Sequence, residues 1–187
     1  MKTILVCNSK GGVGKSLIAD ELAFSFERTN TPMAFYDLDS QGGTLHKTNN
    51  NPNAQVAVVD TPGALQQQLI QYMKAADVVV IPTRTTSRDI EPLQRMQEAV
   101  RANAPKAKVI YVLNGFNRFR ASQDFLEWFQ TQAKGNKIIQ LPQSESFVQA
   151  SAYKQSVVEY SRFGKAVDAT KELCNTVREA IGLPKEA

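Results

Sequence analysis

Residues 10–16 constrain the fold of this chain more than any other segment, because they read Lys-Gly-Gly-Val-Gly-Lys-Ser. They match the phosphate-binding loop pattern Gly-x-x-x-x-Gly-Lys-[Ser/Thr] except at its first glycine, where the chain has Ser9. An apolar run over 3–8 precedes the loop, and a helical pattern over 16–29 follows it. Such a loop binds anions between a buried strand and a helix, so the segment predicts a strand, loop and helix that hold phosphate.

Each residue of this loop has a predicted role. The glycines let successive backbone N–H groups converge on phosphate oxygens. Lys15 is expected to reach the β- and γ-phosphates, while the hydroxyl of Ser16 is expected to ligate Mg²⁺. The predicted nucleotide-binding residues of the segment are Gly11, Gly12, Val13, Gly14, Lys15, Ser16 and Leu17.

Strand and helix patterns alternate along the whole chain. Strands are predicted at 2–8, 33–37, 55–60, 77–82, 108–114 and 136–140. Helices are predicted at 16–29, 64–74, 87–103, 122–134, 145–153 and 165–181. Continuous apolar runs at 78–81 and 109–113 are typical of strands covered on both faces. The sequence therefore predicts an α/β fold, with a mostly parallel sheet and helices on both faces, in a single domain over 1–187.

Three aspartates fall where two of the predicted strands end. Asp37 and Asp39 follow the second strand, and Asp60 ends the third, before Thr-Pro-Gly. The carboxyl ends of parallel strands share one rim of a sheet, so these residues are expected beside the loop. We predict that Ser16, Asp60 and Asp37 form or support the Mg²⁺ site, and that Asp39 aligns the attacking water.

Charge and composition limit the possible partners. The chain has a net charge of +4 and a pI near 9.1, and most of its cations follow Ala75. This distribution permits a polyanionic partner, but it is equally usual for solvated helix faces. No apolar run reaches the 18 or so residues that a membrane span needs. The two cysteines, Cys7 and Cys174, are predicted to be packing residues, and the single His46 is predicted to lie in a solvated loop.

The three motifs together resemble those of the ParA/MinD ATPases, a P-loop family with a deviant Walker A motif. Residues 10–16 resemble the deviant Walker A motif, residues 37–42 the A′ motif and residues 59–63 the Walker B motif. The family often has two threonines after the P-loop lysine, where this chain has Ser16 and Leu17. Only twenty residues separate Asp39 from Asp60, so the chain is most similar to the small plasmid-type ParA proteins.

The resemblance implies ATP and Mg²⁺ as cofactors and a weak, Mg²⁺-dependent ATPase. It implies a homodimer in the ATP state, in which Lys10 reaches the phosphates bound by the other subunit. Lys10, Lys15 and Asp39 are then the catalytic residues. Asn114 and Pro142 fall where the family places contacts to the base. Adenine is favoured over guanine because residues 114–117 lack the carboxylate that guanine specificity requires.

The resemblance further implies a cytoplasmic, nucleoid-associated role in DNA partition. The ATP-bound dimer would bind non-specific DNA, and a centromere-binding partner protein would stimulate hydrolysis and release it. No membrane partner is expected, because Gly182 and Pro184 forbid an amphipathic helix at the end of the chain. The candidate DNA contacts are Arg118, Arg120, Lys154, Arg162 and Lys165. Two alternatives stay open: an accessory ATPase of conjugative DNA transfer, and a P-loop phosphotransferase.

Overall fold

The structure is a computed structural model that describes residues 1–63 and 67–186. Its strands are β1 Lys2–Val6, β2 Met33–Asp37, β3 Val56–Asp60, β4 Val78–Thr83, β5 Lys108–Phe116 and β6 Lys137–Pro142. Its α-helices are α1 Lys15–Arg28, α2 Gln67–Ala75, α3 Ile90–Asn103, α4 Arg120–Gln132, α5 Glu145–Ala152, α6 Val157–Tyr160 and α7 Lys165–Ala180, with a 3-10 turn at Ser87–Asp89.

The six strands form one parallel sheet in the order β2-β3-β1-β4-β5-β6. Successive side chains of a strand point to opposite faces, and β1 shows this directly. Ile4 and Val6 join a core with α1, α5 and α7, while Leu5 and Cys7 join a second core with α2, α3 and α4. Helices therefore cover both faces, and the predicted fold class is confirmed.

The strand order decides where a ligand can bind. β1 lies at the centre of the sheet, between β3 and β4, so the chain moves to opposite sides of β1 in its first and second halves. At such a reversal the connections leave the carboxyl ends of neighbouring strands in different directions and open a crevice. The loop after β1 lies at this point, with the carboxyl end of β3 beside it.

Most predicted elements are present, with three differences. The predicted helix over 64–74 begins at residues outside the described part of the chain, and the structure describes α2 from Gln67. Helix α6 was not predicted, because its four residues are too few to show a period. Strand β5 continues to Phe116, since Gly115, with a φ of 75°, accommodates a register shift between β5 and β6.

The end of the described chain folds back on α1. The carboxylate of Glu186 accepts hydrogen bonds from Arg28 Nε at 2.5 Å and from Ser25 Oγ at 2.7 Å. Arg178 Nε donates to the carbonyl of Pro184 at 2.7 Å. Residues 183–186 have no regular secondary structure. None of the described helices is long and apolar enough to cross a membrane.

His46 lies in a loop, as predicted, but the prediction that it is solvated was wrong. Its side chain is only 11% exposed and lies between the rings of Phe24 and Phe35. His46 Nδ1 is 2.7 Å from the carboxylate of Asp20, which also accepts hydrogen bonds from the backbone N–H groups of Leu45 and His46. Asp20 is a buried acid in α1, and it anchors the segment that follows Asp39.

The environment of His46 raises its pKa above the usual value. Burial acts to lower this pKa, but the hydrogen bond and charge of Asp20, together with the charge of Glu27, outweigh it. A raised pKa means that protonated His46 stabilises the fold. That stabilisation is complete below the ordinary histidine pKa of about 6.5, and it disappears as the pH rises through the higher folded pKa.

We therefore expect the stability difference between the wild type and His46→Gln to shrink as the pH rises from 6 to 9. The loss should be about 1.4 kcal/mol for each unit by which the pKa is raised. Urea denaturation of both proteins across this range measures it. His46 is the only histidine, and the other titrating groups are common to both proteins. A stability difference that stays constant with pH would show that His46 is not protonated in its contact with Asp20.

Candidate nucleotide-binding site

The phosphate-binding loop connects β1 to α1 at the centre of the sheet. Gly14 is the N-cap of α1 and has a φ of 97°, a left-handed conformation that favours glycine. Val13 is fully buried. The side-chain amide of Asn114, at the end of β5, donates to the carbonyl of Val13 at 2.9 Å. Asn114 therefore braces the loop from the neighbouring half of the sheet.

Lys15 lies inside the loop. Its residue is 6% exposed, and its Nζ donates to the carbonyl of Lys10 at 3.1 Å. Burial lowers the pKa of Lys15, while the charges of Asp60 and Asp39 act in the opposite direction. A phosphate in the loop would offset the burial of this ammonium group, which is consistent with the role predicted for Lys15.

Two of the three residues predicted to hold Mg²⁺, Ser16 and Asp60, are in contact. Ser16 Oγ donates to Asp60 Oδ2 at 2.7 Å. The other carboxylate oxygen, Asp60 Oδ1, is buried and has no hydrogen-bond partner among the described residues. Burial raises the pKa of Asp60 to about 6, and the nearby charge of Asp37 adds to this, while Ser16 and Lys15 act to lower it. A buried carboxylate oxygen without a donor is well suited to a cation or to its water shell.

Mg²⁺ is the cation predicted at Asp60, and it needs few protein ligands. In residues 1–63 and 67–186, no group of three or more His, Cys, Asp or Glu side chains could hold a metal ion. Mg²⁺ usually keeps several waters and takes its remaining ligands from one or two side chains and from phosphates. Ser16 and Asp60 are the residues that would supply such a set.

Asp37 and Asp39 shape the turn after β2. Asp37 accepts hydrogen bonds from the backbone N–H of Asp39 at 3.0 Å and from the hydroxyl of Thr44 at 2.6 Å. Asp39 accepts one from the backbone N–H of Gln41 at 3.0 Å. Both oxygens of Asp37 are thus engaged within the turn. The roles predicted for Asp37 at the metal and for Asp39 at the water stay predictions.

Lys10 is bound to a residue that sequence reasoning did not single out. Its Nζ is 2.5 Å from Asp89 Oδ1, and it also donates to the carbonyl of Arg88 at 3.4 Å. Asp89 is 1% exposed and precedes α3. The second oxygen, Asp89 Oδ2, accepts hydrogen bonds from the backbone N–H and the hydroxyl of Thr86. In this conformation Lys10 is held within its own chain, on the α3 side of the loop.

A cleft of about 420 Å³ extends from the first turn of α1, at Leu17, to the ends of β5 and β6. It contains both predicted base contacts, Asn114 and Pro142, and also Leu17. Arg84 lines it as well, with Nη1 3.5 Å from the carbonyl of Asn114, and sequence reasoning missed this residue. The only feature of the sequence that could have indicated Arg84 is the position of a cation directly after a buried strand. The size and apolar walls of the cleft suit a nucleobase, and we call it the base cleft.

The five candidate DNA contacts are all exposed. Arg118 and Lys165 line one cleft beside β6. Arg120 follows Arg118 by two residues, and Arg162 precedes Lys165 by three. Lys154 lies in the turn after α5, outside that cleft. The structure thus brings one part of the predicted set together.

A parallel sheet in this order, with a phosphate-binding loop after its central strand, defines a P-loop nucleotide-binding protein. Residues 4–157 match the family described as the CobQ/CobB/MinD/ParA nucleotide binding domain. The chain belongs to this family, and the resemblance to the ParA/MinD ATPases is confirmed.

Solved structures show the same fold at low sequence identity. A single-residue variant of Cyanothece McdA, in complex with ATP, is 18% identical, with a TM-score of 0.77 over 100% of this chain and 98% of that one. A putative plasmid partition protein from Borrelia burgdorferi B31, bound to AMPPNP, is 15% identical, with a TM-score of 0.72 over 95% and 99%. MinD from Pyrococcus horikoshii OT3, complexed with Mg-ADP, is 14% identical, with a TM-score of 0.70 over 97% and 97%. No curated protein matches the chain significantly.

Proposed function

We propose that this ParA/MinD-type ATPase works in DNA partition, as a switch that binds DNA in its ATP state and leaves it after hydrolysis. The observation that carries the proposal is the pair of lysines in one loop, Lys10 and Lys15, beside the Ser16–Asp60 contact. One lysine is buried within the loop, and the other reaches out of it to Asp89. Lys10 is a second cation at the mouth of the loop, and its position supports a nucleotide site to which a second subunit contributes its own Lys10.

The residues divide the chemistry between them. Lys15 and the loop N–H groups bind and orient the phosphates, and Asn114 keeps the loop in place. Bound Mg²⁺, held by Ser16 and Asp60, would neutralise charge on the phosphate oxygens. Asp39 would accept a hydrogen bond from the attacking water and so fix its direction. Lys10 would stabilise the charge that develops on the phosphates of the partner subunit.

In this proposal the ATP state is a sandwich homodimer that binds non-specific DNA on the nucleoid. A dimer doubles each basic patch, so more phosphates are contacted and binding falls more steeply with salt. Hydrolysis is slow in the free protein and is stimulated by a centromere-binding partner protein. Because Lys10 needs a second subunit to act, nucleotide state and assembly are coupled.

Asp39→Ala and Lys10→Ala test the proposal by separating assembly from hydrolysis. Asp39→Ala should dimerise with ATP and keep salt-sensitive binding to a DNA duplex, but hydrolyse at least tenfold more slowly, because ATP stays bound while its water is not aligned. Lys10→Ala should bind ATP and stay monomeric. Gel filtration, phosphate release and duplex-binding anisotropy at two salt concentrations, each without nucleotide and with ADP or ATP, give these readouts.

The outcomes test the dimer, the role of Lys10 and the DNA switch separately. A monomer in every nucleotide state, for the wild type and for Asp39→Ala, would exclude the sandwich dimer. Dimerisation with wild-type turnover in Lys10→Ala would remove Lys10 from the site. ATP hydrolysis without DNA binding in any state would exclude the DNA switch and favour the phosphotransferase.

A further inference from the structure

Two neighbouring loops each present a phenylalanine between cations. The first is Arg118-Phe119-Arg120, between β5 and α4, and the second is Arg162-Phe163-Gly164-Lys165, between α6 and α7. Phe119 is 67% exposed and Phe163 is 85% exposed, and the flanking cations are exposed too. An exposed phenylalanine ring forgoes the favourable free energy that its burial would provide. The repeated arrangement therefore calls for an explanation.

The two loops belong to one surface. Arg118 and Lys165 line a cleft of about 320 Å³, and Lys165 and Phe163 line a second one of about 270 Å³. Pro142 lines both of these clefts and also the base cleft. We call residues 118–120 and 162–165, together with the two clefts, the basic aromatic rim. The rim lies directly beside the nucleotide site.

The backbone fixes both loops at a helix start. Phe119 is the N-cap of α4, and its backbone N–H donates to the side chain of Asn117 at 3.0 Å. Gly164, with a φ of 129°, is the N-cap of α7 and allows the sharp turn that leaves Phe163 outside. Both rings are therefore presented by ordered turns. A ring held in this way loses little entropy when a flat ligand stacks on it.

The charges of the rim indicate the ligand. Within the described residues, only Arg120 among its four cations forms an ion pair, an exposed one with Asp124 at 3.6 Å. Free cations beside exposed aromatic rings are the combination that binds an unpaired nucleic-acid strand, since the cations contact phosphates and the rings stack on bases. In a duplex the faces of the bases are covered by neighbouring base pairs, so the two phenylalanine rings would have no base face to stack on.

We propose that the basic aromatic rim binds single-stranded nucleic acid, with Phe119 and Phe163 stacking on bases and Arg118, Arg162 and Lys165 contacting phosphates. Its cations are among those predicted to contact DNA in the proposed function, and the two rings add a preference for unpaired strands that duplex binding does not include. Asn117 Nδ2 is 3.4 Å from the side-chain oxygen of Gln143, which lines the base cleft, so the rim and the nucleotide share a wall.

The experiment compares a twenty-residue oligo-dT, the matching oligo-rU and a twenty-base-pair duplex by fluorescence anisotropy, with and without ATP. The wild type should bind at least one of the single strands about tenfold more tightly than the duplex, and the tighter of the two identifies DNA or RNA as the source. Phe119→Ala/Phe163→Ala should lose at least tenfold in single-strand affinity, as expected for the removal of stacking. Its duplex affinity and its ATP hydrolysis should stay unchanged.

Two variants serve as controls. Tyr153→Ala removes another exposed aromatic residue, 70% exposed and outside the rim, and should not alter single-strand binding. Arg118→Gln should make the affinity for the single strand fall less steeply with salt. The slope of log affinity against log salt concentration should decrease by the contribution of about one phosphate contact. Equal affinity for single strands and duplex, or wild-type single-strand binding by the double variant, would overturn the proposal. A monomer that never binds duplex with ATP would instead count against the partition function, so the two failures are distinguishable.

Discussion

Replacing Gly14 with alanine should abolish nucleotide binding. An added Cβ would lie 2.0 Å from Asn114 Nδ2, well inside van der Waals contact, and alanine is also disfavoured at a φ of 97° by about 1–2 kcal/mol. Either Asn114 releases the carbonyl of Val13, or the loop itself shifts. A released Asn114 no longer braces the loop, and a shifted loop no longer brings its N–H groups together on one phosphate. We expect at least a hundredfold loss of ATP affinity, equivalent to about 2.7 kcal/mol, measured by calorimetry with Mg²⁺.

A glycine outside the site separates the two causes of this effect. Gly135 has a φ of 80°, and an added Cβ there would have no atom within 4 Å, so Gly135→Ala introduces backbone strain without a clash. It should cost about 1–2 kcal/mol of folding stability and leave ATP affinity unchanged. If Gly14→Ala bound ATP within threefold of the wild type, the contact between Asn114 and the loop would have no role in nucleotide binding.

The sequence was informative where local chemistry determines structure. The loop could be predicted because glycines, a lysine and a hydroxyl must follow one another at fixed spacing between a strand and a helix. Asp60 could be placed beside Ser16 because the carboxyl ends of parallel strands share a rim, and the 2.7 Å contact between them agrees with this. The apolar runs of β4 and β5 likewise identified strands buried on both faces.

The sequence was uninformative where a contact depends on how distant elements pack. Lys10 and Asp89 are separated by 79 positions, and an aspartate before a helix is normally no more than a cap. His46 was expected to be solvated because nothing local in the sequence shows that the loop packs its ring against Asp20, a buried residue of α1. Arg84 reaches the base cleft only because β4 and β5 pair in a particular register. Side-chain partners of this kind require the three-dimensional fold.

The contact between Lys10 and Asp89 leads to the second large effect, an increase in dimer formation for Asp89→Asn. Lys10 is held by a buried carboxylate, and a hydrogen bond to a charged group contributes about 1.5–3 kcal/mol. If the dimer needs Lys10 at the partner's phosphates, that contact must break first. Asparagine keeps an oxygen for Thr86 but removes the charge. We expect the ATP-dependent dimer to form at roughly tenfold lower protein concentration, as measured by analytical ultracentrifugation.

Two further variants decide whether this gain passes through Lys10. Glu91→Gln removes an exposed carboxylate from the first turn of α3, just after Asp89, and should leave dimer formation unchanged; Glu91 pairs with Arg95. Lys10→Ala/Asp89→Asn should be as monomeric as Lys10→Ala alone. Asp89→Asn is expected to increase dimer formation only by releasing Lys10, and the double variant lacks that lysine. Wild-type assembly by Asp89→Asn, or a gain that persists without Lys10, would show that Asp89 serves α3 alone. The predicted result would mean that Asp89 binds Lys10 in the free chain, and that this contact breaks only when the phosphates of a second ATP-bound subunit compete for Lys10.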